Sequence, residues 1–328
     1  MKLKILNTIG SRFDKQARDI LDSLGDTRYL DINQKGLEQH ISDYDVLLVG
    51  IGLYINKSVI DQANRLKIIA TATTGLDHID LDYTQVRGIT VLSLRGENEF
   101  LNTITGTAEL AFGLLLDLAR NISISFNAVI NGHWDRERFI GHNLIGKTLG
   151  IIGYGRLGRM VARYGKAFGM KIIVADPYVA EDLINADGHR KVSFTQLVQE
   201  SDAISIHVHL DATTENMFDQ AVFAQTKSTA YLVNTSRGKI VDEVALLQAL
   251  KDKRIAGYAT DVLADEVNFY QGFTRQPLVE YAKNNNNVII TPHVGGMTYE
   301  SRAATDVFIV EKIKEFLARN KKMRNSTK

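Results

Sequence analysis

Three side chains of this 328-residue chain have the types and settings that suit proton and charge handling on a small anion: Arg237, Glu266 and His293. Arg237 lies in Val233-Asn234-Thr235-Ser236-Arg237-Gly238, directly after an apolar run. Its rigid fork of donors fits a carboxylate together with a neighbouring carbonyl. His293 lies in Thr291-Pro292-His293-Val294-Gly295-Gly296. An imidazole titrates close to neutral pH, so it can give a proton to a developing alkoxide and take it back in reverse. Glu266, with Asp265 beside it as the competitor, would orient that imidazole and favour its charged form. Asp261, in Ala259-Thr260-Asp261-Val262, ends a further apolar run.

A glycine-rich turn supplies the second half of the chemistry. Leu149-Gly150-Ile151-Ile152 leads into Gly153-Tyr154-Gly155-Arg156-Leu157-Gly158. The first glycine suits a tight turn after a strand, the second lets a pyrophosphate approach the backbone, and the third lets a helix pack closely on the sheet. The helix N-terminus then offers free N–H groups and a positive dipole end to phosphates. Leu157, Met160, Val161, Tyr164 and Phe168 keep helical spacing after the turn. The next apolar run, Lys171–Ala175, ends at Asp176, 23 residues beyond Gly153. An acid there accepts hydrogen bonds from ribose hydroxyls and repels a 2′-phosphate, which predicts NAD over NADP.

These residues need a scaffold that gathers strand ends. Strand-like runs recur at Lys4–Leu6, Val46–Val49, Ile68–Thr71 and Ile89–Leu92, with helical patterns such as Ser58–Asn64 between them. A second series has runs at Thr148–Ile152, Ile172–Ala175, Ala203–Val208, Ala230–Asn234, Gly257–Asp261 and Val288–Thr291. Such alternation predicts an α/β fold with parallel sheets. One long helix is expected from about Thr103 to Ile124, and another from about Tyr299 to Leu317 with a frayed basic tail. Ligands of open parallel sheets bind beyond the carboxyl ends of the strands. Arg237, Asp261, Glu266 and His293 all follow such ends, so they are expected to converge on a cofactor at Gly153–Gly158.

Composition narrows the function classes. The length suits two domains. Lys plus Arg is 39 against 38 Asp plus Glu, so nothing in the charge calls for nucleic acid or an anionic membrane. The absence of cysteine excludes disulfides, thiolate catalysis and zinc–thiolate sites. The first residues lack a signal-peptide core, and no run of about 18 apolar residues is present, so no membrane span and a cytoplasmic location are expected. His207 and His209 alternate along a strand without a third ligand nearby, which argues against a metal. His78 and His142 read as structural, and Arg95 as an exposed strand-end arginine that alternatively recognises a second anionic group.

The motifs together resemble the D-isomer-specific 2-hydroxyacid dehydrogenase family, phosphoglycerate dehydrogenase-like. The likeness extends to Thr74-Gly75-Leu76-Asp77-His78-Ile79-Asp80 and Thr107-Ala108-Glu109-Leu110, and covers nearly the whole chain. It implies two Rossmann-like or flavodoxin-like domains with parallel sheets and a cleft between them. Residues 1–100 with 297–328 would form the substrate-binding domain and 101–296 the NAD-binding domain. It implies hydride transfer between NAD and C2 of a small 2-hydroxy or 2-oxo acid, with Arg237 as clamp, His293 as acid/base and Glu266 as its partner. Asp261 would hold the nicotinamide carboxamide, and the backbone of Thr74, Gly75 and Leu76 the substrate carboxylate. Further NAD contacts are expected at Thr107, His209, Thr235, Ser236, Gly295 and Gly296. The family usually has proline where this chain has His209 and Val267. A homodimer is implied, with the segment around Trp134 embracing the partner. The competing readings are an NAD-binding scaffold of the corepressor type and oxidation of an inorganic acid such as phosphite.

Overall fold

The computed structural model describes residues 2–266 and 275–326. They divide into two compact units, one built from residues 2–103 and 297–326, the other from 104–266 and 275–296.

In the first unit, β1 (Lys4–Asn7), β2 (Asp26–Tyr29), β3 (Val46–Leu48), β4 (Ile68–Ala70) and β5 (Thr90–Leu92) make a parallel sheet of order β2-β1-β3-β4-β5. Its strands β3 and β4 are apolar throughout because helices cover both faces. Ile5, Val46, Leu48 and Ile68 pack with Leu21 of the helix Lys15–Leu24 and with Ile309, Val310 and Ile313 of the helix Tyr299–Ser326. Leu6, Leu47 and Ile69 point the other way, against Val59 and Ile60.

In the second unit, β6 (Thr148–Ile152), β7 (Lys171–Ala175), β8 (Arg190–Lys191), β9 (Ala203–Ile206), β10 (Tyr231–Asn234), β11 (Gly257–Thr260) and β12 (Val288–Ile290) form a parallel sheet of order β12-β11-β10-β9-β6-β7-β8. Leu149, Ile151, Val174, Val233 and Ala259 face one core with the helices Gly106–Arg120 and Arg156–Ala167. Ile152, Ile173, Ile204, Ile206 and Leu232 face the other. Strand order reverses between β6 and β9, which makes the carboxyl ends there a topological switch point. Both units are the doubly wound α/β architecture that the alternation of runs predicts.

Three details depart from the sequence expectation. The single helix expected over 103–124 breaks at Asn121, whose φ of 57° is left-handed, and resumes as Ile122–Ile130. Asparagine tolerates that conformation, so it ends one helix and starts another. The final helix runs to Ser326 instead of fraying after Leu317, since no glycine or proline interrupts it. β2 and β8 escape the hydrophobic pattern because they are edge strands with alternate residues exposed. Among the described residues no single helix is long and apolar enough to cross a membrane.

Candidate active site

The glycine turn follows β6 directly, and each of its glycines answers to a different constraint. Gly153 has φ of 86°, and a Cβ on it would lie 2.5 Å from the carbonyl oxygen of His207. A Cβ on Gly158 would collide with the carbonyl oxygen of Gly153, so the helix Arg156–Ala167 approaches its own turn only with glycine there. Gly155 differs: its φ of −77° suits any residue, and nothing lies within 4 Å of the Cβ position. The fold does not require glycine at 155, whereas a phosphate lying against that backbone does. The residues therefore fit a bound dinucleotide.

Asp176 is built into this turn. Its Oδ2 accepts from the Tyr154 N–H at 2.7 Å, and its Oδ1 accepts from the Tyr178 and Val179 N–H groups at 2.8 and 3.1 Å. The Tyr154 and Arg156 side chains are engaged in the scaffold. The Tyr154 hydroxyl donates to Asp187 at 2.8 Å beneath the Arg159 guanidinium, and burial raises the phenol. Arg156 Nη1 donates to the Ile104 carbonyl at 2.5 Å, and burial lowers its guanidinium. Leu157 packs on the core.

Arg237, Glu266 and His293 leave the ends of β10, β11 and β12, which are neighbours in the sheet. The Arg237 loop is held by the fully buried Asn234, whose Nδ2 donates to the Arg237 carbonyl at 2.9 Å and whose Oδ1 accepts from the Ser236 N–H at 3.0 Å. Arg237 Nη1 also donates to the Ser236 carbonyl at 2.7 Å. Ser236 Oγ donates to the Ile206 carbonyl at 2.8 Å, while the buried Thr235 hydroxyl has no partner among the described residues. Gly238 is glycine because the backbone of Leu263 and Ala264 passes directly over it.

That crossing brings the turn bearing Glu266 to the Arg237 loop. His293 Nδ1 lies 2.7 Å from Glu266 Oε1, with both side chains about three-quarters buried. Asp265 is exposed, so the geometry selects Glu266. His293 itself has φ of 53°, a conformation uncommon outside glycine. Asp261 fixes it. Its Oδ1 accepts from Thr291 Oγ1 at 2.5 Å and the Val294 N–H at 2.8 Å, its Oδ2 accepts from the Gly295 N–H at 2.7 Å, and its carbonyl accepts from the His293 N–H at 2.9 Å. Burial raises the Asp261 carboxyl, against these bonds, which lower it. A Cβ on Gly295 would sit 3.1 Å from both Asp261 Oδ2 and Thr107 Oγ1, whereas Gly296 faces open space.

The remaining candidates divide. His207 Nε2 shares a hydrogen bond with Ser205 Oγ at 2.8 Å, and burial drives its imidazole down to about 3, so it stays neutral near pH 7. His209 is exposed, and its carbonyl accepts from Thr214 Oγ1 at 2.6 Å. Among the described residues no group of three His, Asp or Glu side chains could hold a metal. In the first unit, Thr74, Gly75 and Leu76 follow β4. Thr73 Oγ1 donates to the Gly75 carbonyl at 2.8 Å, and Arg95 Nε reaches the Thr74 carbonyl at 3.4 Å. His78 is buried, 3.5 Å from Thr71 Oγ1. Residue-by-residue reading missed Asn234, Glu243 and Thr291. Each stands inside a recognised motif, but only the folded contacts give it a task.

Comparison with known proteins decides the family. Residues 112–295 match the model of the D-isomer specific 2-hydroxyacid dehydrogenase, NAD binding domain. The D-3-phosphoglycerate dehydrogenase of Methanocaldococcus jannaschii is 36% identical over 92% of this chain and 56% of its own length. The hydroxypyruvate reductase of Thermotoga maritima is 34% identical over 93% and 96%. This chain belongs to the D-isomer specific 2-hydroxyacid dehydrogenase family. A solved D-lactate dehydrogenase of Aquifex aeolicus, complexed with NAD and lactic acid, superposes with a TM-score of 0.82 at 28% identity over 97% of this chain and 96% of that one. The matched domain is an NAD-binding one, and the cofactor is NAD. The chain spans about half the length of the curated phosphoglycerate dehydrogenases it matches.

Proposed function

We propose that this chain is an NAD-dependent oxidoreductase that interconverts a small 2-oxo acid and its 2-hydroxy acid. The observation that carries this reading is the His293–Glu266 pair, held at the strand ends of the unit that contains the glycine turn. NAD supplies the hydride donor or acceptor at the substrate C2. His293 gives its proton to the oxygen that becomes the hydroxyl and recovers it in oxidation. Glu266 keeps the imidazole turned toward that task and stabilises its charge. Arg237 holds the carboxylate and the reacting oxygen.

The second unit acts as the NAD domain. The backbone of Gly153–Gly158 cradles the pyrophosphate, and Asp176 takes the ribose hydroxyls with lone pairs its loop bonds leave over. Asp261 does the same for the carboxamide, with Thr107, His209, Thr235, Ser236, Gly295 and Gly296 completing the contacts. The first unit acts as the substrate domain, where the backbone of Thr74, Gly75 and Leu76 takes the carboxylate.

The active form in this reading is a homodimer. Ile122, Phe126, Val129 and Ile130 make an exposed stripe along one helix, and Trp134 and Ile140 later in the same segment are exposed too. Clustered exposed apolar side chains of this kind support a subunit interface there.

NADH oxidation against glyoxylate, pyruvate, hydroxypyruvate, phosphohydroxypyruvate, oxaloacetate and 2-oxoglutarate tests the reaction. Turnover of at least one acid is expected. NADH binding without turnover of any would overturn it in favour of an NAD-binding scaffold.

A further inference from the structure

We propose that Glu243 is a positioning residue that holds Glu266 against His293; this rests on the reading of Glu266 as the partner of the acid/base histidine. Glu243 opens the helix Glu243–Lys251, yet its carboxylate plays no part in capping it. Asp242 caps that helix by accepting from the Val244 and Ala245 N–H groups. The Glu243 side chain instead reaches two other segments. Its Oε1 accepts from the Ala264 N–H at 2.8 Å, and its Oε2 accepts from Gln276 Nε2 at 2.6 Å. Gln276 is itself buried, and its Oε1 accepts from the Val279 N–H at 2.9 Å, capping the helix Pro277–Ala282. One carboxylate therefore ties residues 264 and 276 to a third element.

Ala264 stands two residues before Glu266, inside the turn that aims it. The Glu266 N–H donates to the Leu263 carbonyl at 3.3 Å, and Glu266 Oε2 accepts from the Leu263 N–H at 3.2 Å. Its Oε1 is left for His293. Below the turn lies Gly238, whose missing side chain lets the strand-end backbone sit that close. The turn is thus pressed onto the Arg237 loop and pinned by Glu243. Burial raises the Glu243 carboxyl, a cost retained for two well-made hydrogen bonds. Glutamine at 243 keeps an acceptor for Ala264 but sets an amide donor against the Gln276 amide.

The test is a double-mutant cycle of Glu243→Gln and Glu266→Gln. In the wild-type background Glu243→Gln should lower kcat by roughly 3- to 30-fold, with KM for the acid and Kd for NADH unchanged. In the Glu266→Gln background it should lower kcat less than about twofold, because the group it acts through is gone. Additive losses would overturn the proposal and make Glu243 general scaffolding. If Glu266→Gln alone leaves kcat intact, the dyad reading fails, and this proposal with it. A readout independent of turnover is the proton resonance of His293 Nδ1–H. It should move upfield or vanish in Glu243→Gln at a temperature where circular dichroism shows the variant still folded; an unchanged resonance refutes the positioning role.

Discussion

His293 Nδ1 and Glu266 Oε1 stand 2.7 Å apart although 27 residues separate them in the chain. Neither lies within a strand. Each follows the carboxyl end of one of two paired strands, β11 and β12, in which Thr260 is in register with Ile290. The pair is braced from below by two other acids. Asp261 gathers the turn around His293, and Glu243 gathers the turn around Glu266. A left-handed histidine costs on the order of 1–2 kcal/mol, and the four bonds to Asp261 are what hold it there.

Replacing His293 by alanine removes the proposed proton donor while leaving the glycine turn intact. Turnover should fall by roughly two to four orders of magnitude. Kd for NADH, measured by fluorescence titration, should stay within about twofold of the parent, because no step of dinucleotide binding uses the imidazole. A variant with normal turnover would take His293 out of the reaction.

Arg237→Lys keeps the charge and loses the planar fork. The kcat/KM for the acid should drop by about 100-fold or more, since a single ammonium cannot hold a carboxylate and the reacting oxygen together. Steady-state kinetics on the best acid of the panel measure this, and a change under about threefold would dismiss the clamp.

Gly155→Ala and Gly158→Ala should part company. The position at 155 is open and its backbone ordinary, so thermal melting should match the parent while NADH affinity weakens by about tenfold or more. At 158 the new methyl meets the Gly153 carbonyl, so the melting temperature itself should fall, as overpacking costs roughly 1–3 kcal/mol. Equal effects in the two variants would contradict the contact geometry.

Asp261→Asn swaps one acceptor for a donor among three donors, Thr291, Val294 and Gly295. One buried N–H then loses its partner, at a cost of about 1–3 kcal/mol. Chemical denaturation should show that loss, and kcat should fall as the His293 turn loosens.

Asp306 gives the pH prediction. It is buried in the helix Tyr299–Ser326, where its Oδ2 accepts from the Asp14 N–H at 3.1 Å. Burial is the main cause that raises its carboxyl to about 6, opposed by the bond from the Asp14 N–H and by Arg302, with the Asp14 charge adding a smaller repulsion. A raised folded-state value means the native form holds the proton more tightly than the unfolded one. This contribution is full below about pH 4 and is lost as pH climbs through 6. Asp306→Asn should therefore gain roughly 2–3 kcal/mol over the parent at pH 8, and the advantage should vanish by about pH 4. Paired denaturation curves at the two pH values check it; a gap independent of pH would show that Asp306 does not titrate in this range.

The amino-acid sequence alone determined the α/β alternation, the glycine turn and the acid at the end of β7, and it singled out Arg237, Glu266 and His293 as candidates. Those signals are local: apolar runs bounded by turns, glycines at fixed spacing, and polar residues placed where a run ends. Edge strands β2 and β8 stayed hidden because half of each is exposed and carries no hydrophobic run. The break at Asn121 and the reach of the last helix depended on a single backbone conformation and on helix propensity without a stop signal. What only the tertiary structure decided is the company each functional group keeps. Glu266 rather than Asp265 meets His293, Asp176 closes the glycine turn, and Asn234, Asp261 and Glu243 serve as braces. These are contacts between strand ends far apart in sequence, set by which strands pair and how closely their loops can pass. No local pattern encodes that; the order of strands in the sheet does.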